Sequence, residues 1–223
     1  MKGIHPAFAA LSAALFFSLS ASGLTTLEFE TYPDGTPIED GAVITTQFAS
    51  WGVTFVDAPT VHKAGTVLTA GLSLNEGEFP PSSGSNVLAE YEGIGLKGTF
   101  SVPIALVGAD FTYNWPIRLV GLGSAGEQLG YVDSAFDSNV ASSLNPPNER
   151  LLLSGLGGIS SFEVWFRSVP GAVVPQDGAF AMDHLFFAAV PTNVVPESNL
   201  TWVCGVTILG LGLARWRMGV ARK

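Results

Sequence analysis

Cysteine is nearly missing from this chain of 223 residues: the single one is Cys204, inside a C-terminal apolar run. The stretch ahead of it therefore has no disulfide framework, no thiol nucleophile and no cysteine-based zinc cluster. Histidine is almost as scarce, since of three in the chain only His62 and His184 lie beyond the N-terminal apolar segment. No Gly-x-Ser-x-Gly surrounds any serine, so the commonest local hydrolase signature is missing as well. Basic charge is a further shortage. Residues 24–195 hold 18 Asp and Glu against five Lys and Arg (Lys63, Lys97, Arg118, Arg150, Arg167), a formal charge of −13. A nucleic-acid partner is disfavoured, because phosphate neutralisation needs a basic face. Divalent cations suit such a surface better, although most of these charges serve solubility. Between the two ends, no stretch of about 12 residues carries an apolar stripe of period 3.6.

What the middle does carry is alternation. Leu27, Phe29 and Thr31 alternate with Glu28 and Glu30, and the pairs Val53/Phe55 and Val102/Ile104 behave likewise. Residues 104–113, 117–122, 128–135, 150–156, 160–168 and 179–190 read as further strands. Turn-forming clusters separate them, among them Pro33-Asp34-Gly35, Pro80-Pro81-Ser82-Ser83-Gly84 and Asn145-Pro146-Pro147-Asn148. About nine to eleven short strands at such spacing predict an all-β fold, a single β-sandwich of jelly-roll type over residues 24–191. That length suffices for one domain with its own core.

The two ends read as export signals. Lys2, an apolar stretch over residues 7–19 and the small residues Ala21-Ser22-Gly23 predict a secretory signal peptide over residues 1–23. At the other end, residues 192–199 form a linker into an uncharged run over 200–214, flanked by Trp202 and Trp216. That run would rise about 22 Å as a helix, short of a hydrocarbon core near ~30 Å, so flanking tryptophans and snorkelling arginines would make up the mismatch. A transmembrane segment over 200–217 is expected, with residues 218–223 as a basic cytoplasmic tail. Arg215, Arg217, Arg222 and Lys223 act as the basic stop, which leaves everything upstream outside. An ordinary C-terminal anchor is the plainer alternative.

The order Val195-Pro196-Glu197-Ser198, then the Gly/Leu-rich run Ile208-Leu209-Gly210-Leu211-Gly212-Leu213-Ala214, then Arg215-x-Arg217 resembles a PEP-CTERM sorting domain. Ser198 stands where that family's motif has its second proline. The resemblance implies a partner, an exosortase-type membrane transpeptidase, and an exported protein of bacteria that make exopolysaccharide. It also implies a cell-envelope or cell-surface location. The domain carries a more diffuse resemblance. Leu27-Glu28-Phe29-Glu30 with Asp34-Gly35-Thr36-Pro37, the string from Gln47 to Phe55, and Ala179-Phe180-Ala181-Met182-Asp183-His184-Leu185 are similar to parts of exported proteins with such tails. They look like carbohydrate-binding or galactose-binding-like jelly rolls, which implies fold more than activity.

Three kinds of site follow. Glu28 and Glu30 share a strand face by their spacing, and Asp183 comes from the closing strand, which in a jelly roll lies near the first. Together they are the candidate ligands of a structural calcium, with backbone carbonyls completing the six to eight oxygens that ion takes. The alternative is that both glutamates face solvent opposite buried Leu27 and Phe29. Tyr113 and Trp115, near predicted strand ends with Tyr91 and Tyr131, are candidates for stacking on a sugar, with core packing as the alternative. Trp51 and Trp165 fit core positions better. The strings Gly93-x-Gly95-x-x-Gly98 and Gly121-x-Gly123-x-x-Gly126 match a dinucleotide fingerprint but lead into no helix, so both are read as turns. For a glycosidase-type carboxylate pair, Glu76 with Glu78 or Glu90 with Glu92 would be nearest, beside turns. The expectation is a structural or adhesive exopolysaccharide-associated protein without catalysis. The alternatives are a glycan-binding module and, third, an enzyme acting on matrix polysaccharide.

Overall fold

The computed structural model describes residues 23–56, 59–63, 77–90, 95–167 and 179–191. Nine strands run through them: β1 (Leu24–Leu27), β2 (Val53–Val56), β3 (Thr60–Lys63), β4 (Asn86–Glu90), β5 (Leu96–Tyr113), β6 (Ile117–Leu122), β7 (Gln128–Asp133), β8 (Glu149–Phe166) and β9 (Phe180–Ala189). Single 3-10 turns at Ala49–Trp51 and Ala141–Ser143 are the helical elements among the described residues. The chain is all-β, as its alternation predicts. Every strand pairing is antiparallel, and all nine strands join one sheet in the order β3-β4-β9-β5-β8-β6-β7. Strand β1 branches off on β9 and β2 branches off on β5. Hydrogen bonding thus gives one continuous, branched sheet in place of the two separate sheets of a sandwich.

Two long strands make the continuity possible. Strands β5 and β8 each have 18 residues, and both change partners along their length. The first part of β5 pairs with β2 through Lys97–Phe100, and its last part pairs with β9 through Ile104–Tyr113. The two expected strands over 150–156 and 160–168 are the two parts of β8, and the alternation around Val102 and Ile104 continues into β5. Strands β3 and β4 are not among those predicted.

Each long strand switches its buried parity part-way. On β5 the buried apolar side chains are Leu96, Phe100 and Ile104, then Val107, Ala109, Phe111 and Tyr113. The switch falls where the β5–β8 register shifts between Ile104 and Leu106. Opposite it, Gly155, Gly157 and Gly158 have φ of 73°, 68° and 110°, the left-handed backbone that glycine adopts without a Cβ clash. Strand β9 switches from Phe180 and Met182 to Leu185 and Phe187 at His184, whose φ is 49°. Because side chains alternate with a period of two, one extra residue moves everything after it to the other face. The bulges therefore keep both parts of each strand facing the core. Aromatic rings from β2, β5, β8 and β9 meet there: Phe55 on Phe162 at 6.4 Å, Phe100 on Phe162 at 5.6 Å and Phe100 on Phe187 at 4.9 Å.

Candidate functional site

The opening strand lies beside the closing strand, with Leu27 opposite Leu185. That neighbourhood brings Glu30 and Asp183 to the same segment, residues 82–86. Asp183 is buried, and its Oδ2 accepts four hydrogen bonds: from Ser82 N and Oγ at 2.9 and 3.0 Å, and from Ser83 N and Oγ at 2.8 and 3.2 Å. Its Oδ1 accepts the amide of His184 at 2.6 Å, so the same carboxylate steadies the β9 bulge. Glu30 Oε1 accepts the amides of Ser85 and Asn86 at 2.6 and 2.7 Å, and its Oε2 accepts Ser85 Oγ at 3.3 Å. Buried Asn86 then donates through Nδ2 to Phe29 O at 2.7 Å. Between the two carboxylates sits Gly84 with φ 54°, where a Cβ would lie 2.2 Å from Glu30 Oε1.

This arrangement is a clamp made of hydrogen bonds. Burial pushes the Asp183 carboxyl above the usual carboxylate range, while the donors of Ser83, His184 and Ser82 pull it back down. A calcium ion does not fit. The carboxylate oxygens face N–H and O–H groups, whose positive ends repel a cation, where calcium needs six to eight oxygen ligands. Glu28 is exposed and lies past the end of β1, which stops at Leu27. Among the described residues no three His, Cys, Asp or Glu side chains cluster as a metal site. The segment that fills the would-be site is serine-rich, and nothing in its sequence shows where it folds back.

The aromatic expectations also change. Tyr113 is fully buried, and its hydroxyl donates to Glu149. Burial first, then that bond, raises its ionisation above the usual tyrosine range. It has no face for a ligand. Trp115 is partly buried against the core, and its Nε1 donates to Arg167 O at 3.2 Å. By contrast Trp51 is 37% and Trp165 40% exposed, so neither is the core residue its neighbours suggested. The signal for Trp165 lay in the alternation itself: Phe162, Val164 and Phe166 are buried, and Trp165 shares the outward parity of Glu163.

No protein-family model and no curated protein matches the chain. Among solved structures it is similar to a DUF4465 family protein from Bacteroides caccae, with 9% sequence identity and a TM-score of 0.41. The match covers 62% of this chain and 82% of that one. So weak a likeness assigns neither fold nor function.

On the outward face of β6, β7 and β8 the charged side chains are organised. Arg118 binds Asp133 with two hydrogen bonds, Nε to Oδ1 at 2.6 Å and Nη2 to Oδ2 at 2.9 Å. Arg167 Nη1 reaches the same Oδ2 at 3.3 Å. The guanidinium bonds hold the Asp133 carboxyl below its usual range, Arg118 contributing most. The Arg118 guanidinium also stacks on Tyr131, 3.8 Å from the ring centroid, and Arg118 lies directly across from Trp165 in the β6–β8 register. Lys97 pairs with Glu163 at 2.8 Å on the neighbouring positions. Elsewhere, a cleft of about 230 Å³ is bordered by Trp51, Ser50, Ser101, Val102 and Phe187.

Several expectations fall outside the described residues: the signal peptide up to Ser22, Tyr91, Glu76, Glu92 and the whole tail with its motif, apolar run and basic stop. Among the described residues no helix is long and apolar enough to cross a membrane. Glu78 accepts the Ser142 amide at 2.9 Å. The second glycine string is a hairpin turn between β6 and β7, closed by Gly123 N to Glu127 O at 2.8 Å.

Proposed function

We propose that this is an exported, non-catalytic protein of a bacterial cell envelope, structural or adhesive and associated with exopolysaccharide. Its N-terminal signal directs it across the inner membrane, and its PEP-CTERM-like tail delivers it to an exosortase. The observation that carries the reading is the three-part order at the C-terminus, Val195-Pro196-Glu197, the uncharged run and Arg215-x-Arg217. Within the domain, Asp183 binds the Ser82–Ser83 turn, Asp110 binds Arg150, and Asn139 bridges Phe111 and Tyr113, uses that support a structural role. The all-β domain is read as a variant of the jelly roll.

The test is the intact mass of the protein recovered from its own host and from the same host lacking exosortase. Loss of the tail beyond about Glu197 in the first and retention in the second is the expected result. An intact tail in both would reduce it to an ordinary membrane anchor. A specific glycan-binding role is the second reading, favoured by Trp165, exposed on strand β8.

A further inference from the structure

We infer that the outward face of β6, β7 and the second part of β8 is a binding surface for an acidic polysaccharide, a polymer of pyranose rings bearing carboxylates. The inference rests on the reading of the protein as polysaccharide-associated, and it names the surface and the ligand class.

Three observations carry it. The first is exposure where a sheet normally shows small polar side chains. Trp165 is 40% and Tyr131 51% exposed, on the same face as Arg118. Beside Trp165, just ahead of β5, stands Gly95, which puts no side chain over the indole. A flat, open, apolar ring is the shape on which the apolar face of a sugar ring stacks. Next comes rigidity. Arg118 is held between Asp133 and the Tyr131 ring, so its guanidinium is fixed on the same face as Trp165, which lies one strand away in register with Arg118. Two of its five donors go to Asp133, and planar guanidinium donors suit a carboxylate.

The third is charge. Residues 24–195 contain five Lys and Arg against 18 Asp and Glu, yet among the described residues three of the five, Arg118 and Arg167 with Lys97 on adjoining β5, gather here with two acids, Asp133 and Glu163. Two guanidiniums share the single Asp133 carboxylate. The local balance is positive on an otherwise acidic domain, which steers a polyanion to this patch and away from the rest of the surface. A neutral glycan would gain nothing from that distribution.

The experiment uses the full chain in detergent, with alginate, dextran and polyglutamate as probes, and measures retardation in affinity gels. Alginate should retard the protein, and dextran and polyglutamate should not. Trp165→Ala and Arg118→Gln should each weaken alginate binding about tenfold or more, as truncation of a central contact does. Trp51→Phe, in the 3-10 turn Ala49–Trp51 and away from this face, should bind as wild type, and circular dichroism should show the Trp165→Ala protein folded. Equal retardation of Trp165→Ala by alginate would overturn this surface while leaving the polysaccharide reading intact. Equal binding of polyglutamate would overturn the sugar stacking, and equal binding of dextran would overturn the acidic class. Binding of none of the three would overturn the inference, and the sorting reading would still be decided by the mass of the tail.

Discussion

Removal of the Asp183 carboxylate should release the 82–86 segment and destabilise the whole domain, with no metal involved. In Asp183→Ala the side-chain and backbone donors of Ser82 and Ser83 and the amide of His184 all lose their acceptor. Ser82 is exposed and regains water, so its bonds count for little. The amides of Ser83 and His184, both partly buried, carry most of the loss. A hydrogen bond to a charged group is worth about 1.5–3 kcal/mol, so two of them set a ceiling near 3–6 kcal/mol. Relief of the burial that disfavours the charged carboxyl offsets part of this, which leaves about 2–4 kcal/mol. At roughly 2–4 °C per kcal/mol for a chain of this size, the thermal midpoint should fall by about 5–15 °C. Asp183→Asn keeps one acceptor oxygen and should lose about half as much. Scanning calorimetry with and without chelator checks this. The midpoint of the wild type should not move on adding EDTA or calcium, because a ligand stabilises only a fold that binds it. A midpoint that drops with chelator, or an Asp183→Ala protein within about 2 °C of wild type, would refute the clamp.

Gly84→Ala should cost about 1–3 kcal/mol in urea denaturation, since its Cβ would lie 2.2 Å from Glu30 Oε1 at a φ of 54°. Tyr113→Phe should cost about 1–2 kcal/mol by removing the hydroxyl that Glu149 accepts, and a gain in stability would contradict that bond. His62 is buried, and burial lowers its pKa from the ordinary 6.5 despite the pull of Asp40. Its contribution is therefore complete above pH 6.5 and shrinks as pH falls through the folded value, because there the unfolded chain binds a proton that the folded chain does not. Urea midpoints from pH 7 to 5 should show this loss, and His62→Gln should show a flatter dependence; parallel curves would contradict it. Truncation of exposed Trp165 to Ala should change stability by less than about 1 kcal/mol.

The fold class was legible because alternation with a period of two is a local property, and so are the turn clusters that precede β4 and β8 and the glycine string between β6 and β7. The proximity of Glu30 to Asp183 was legible too, since opening and closing strands pair. The use of those carboxylates was not: whether they hold a cation or a serine turn depends on where residues 82–86 fold back, which is a long-range matter. Tyr113 and Trp165 exchanged roles for a related reason. Tyr113 follows a bulge that switches the buried parity of β5, so its distance from the strand end says nothing about its exposure. Trp165 sits on the outward parity of β8 among apolar neighbours that point the other way. The sequence by itself thus determined the strand-forming character and the charge imbalance, both of which are written in composition and short-range pattern. Only the tertiary structure decided that the strands join one branched sheet, that the acidic pair is a hydrogen-bonded clamp, and that three of the five Lys and Arg in residues 24–195 gather beside exposed aromatics, because register and bulge position are set by which strands meet.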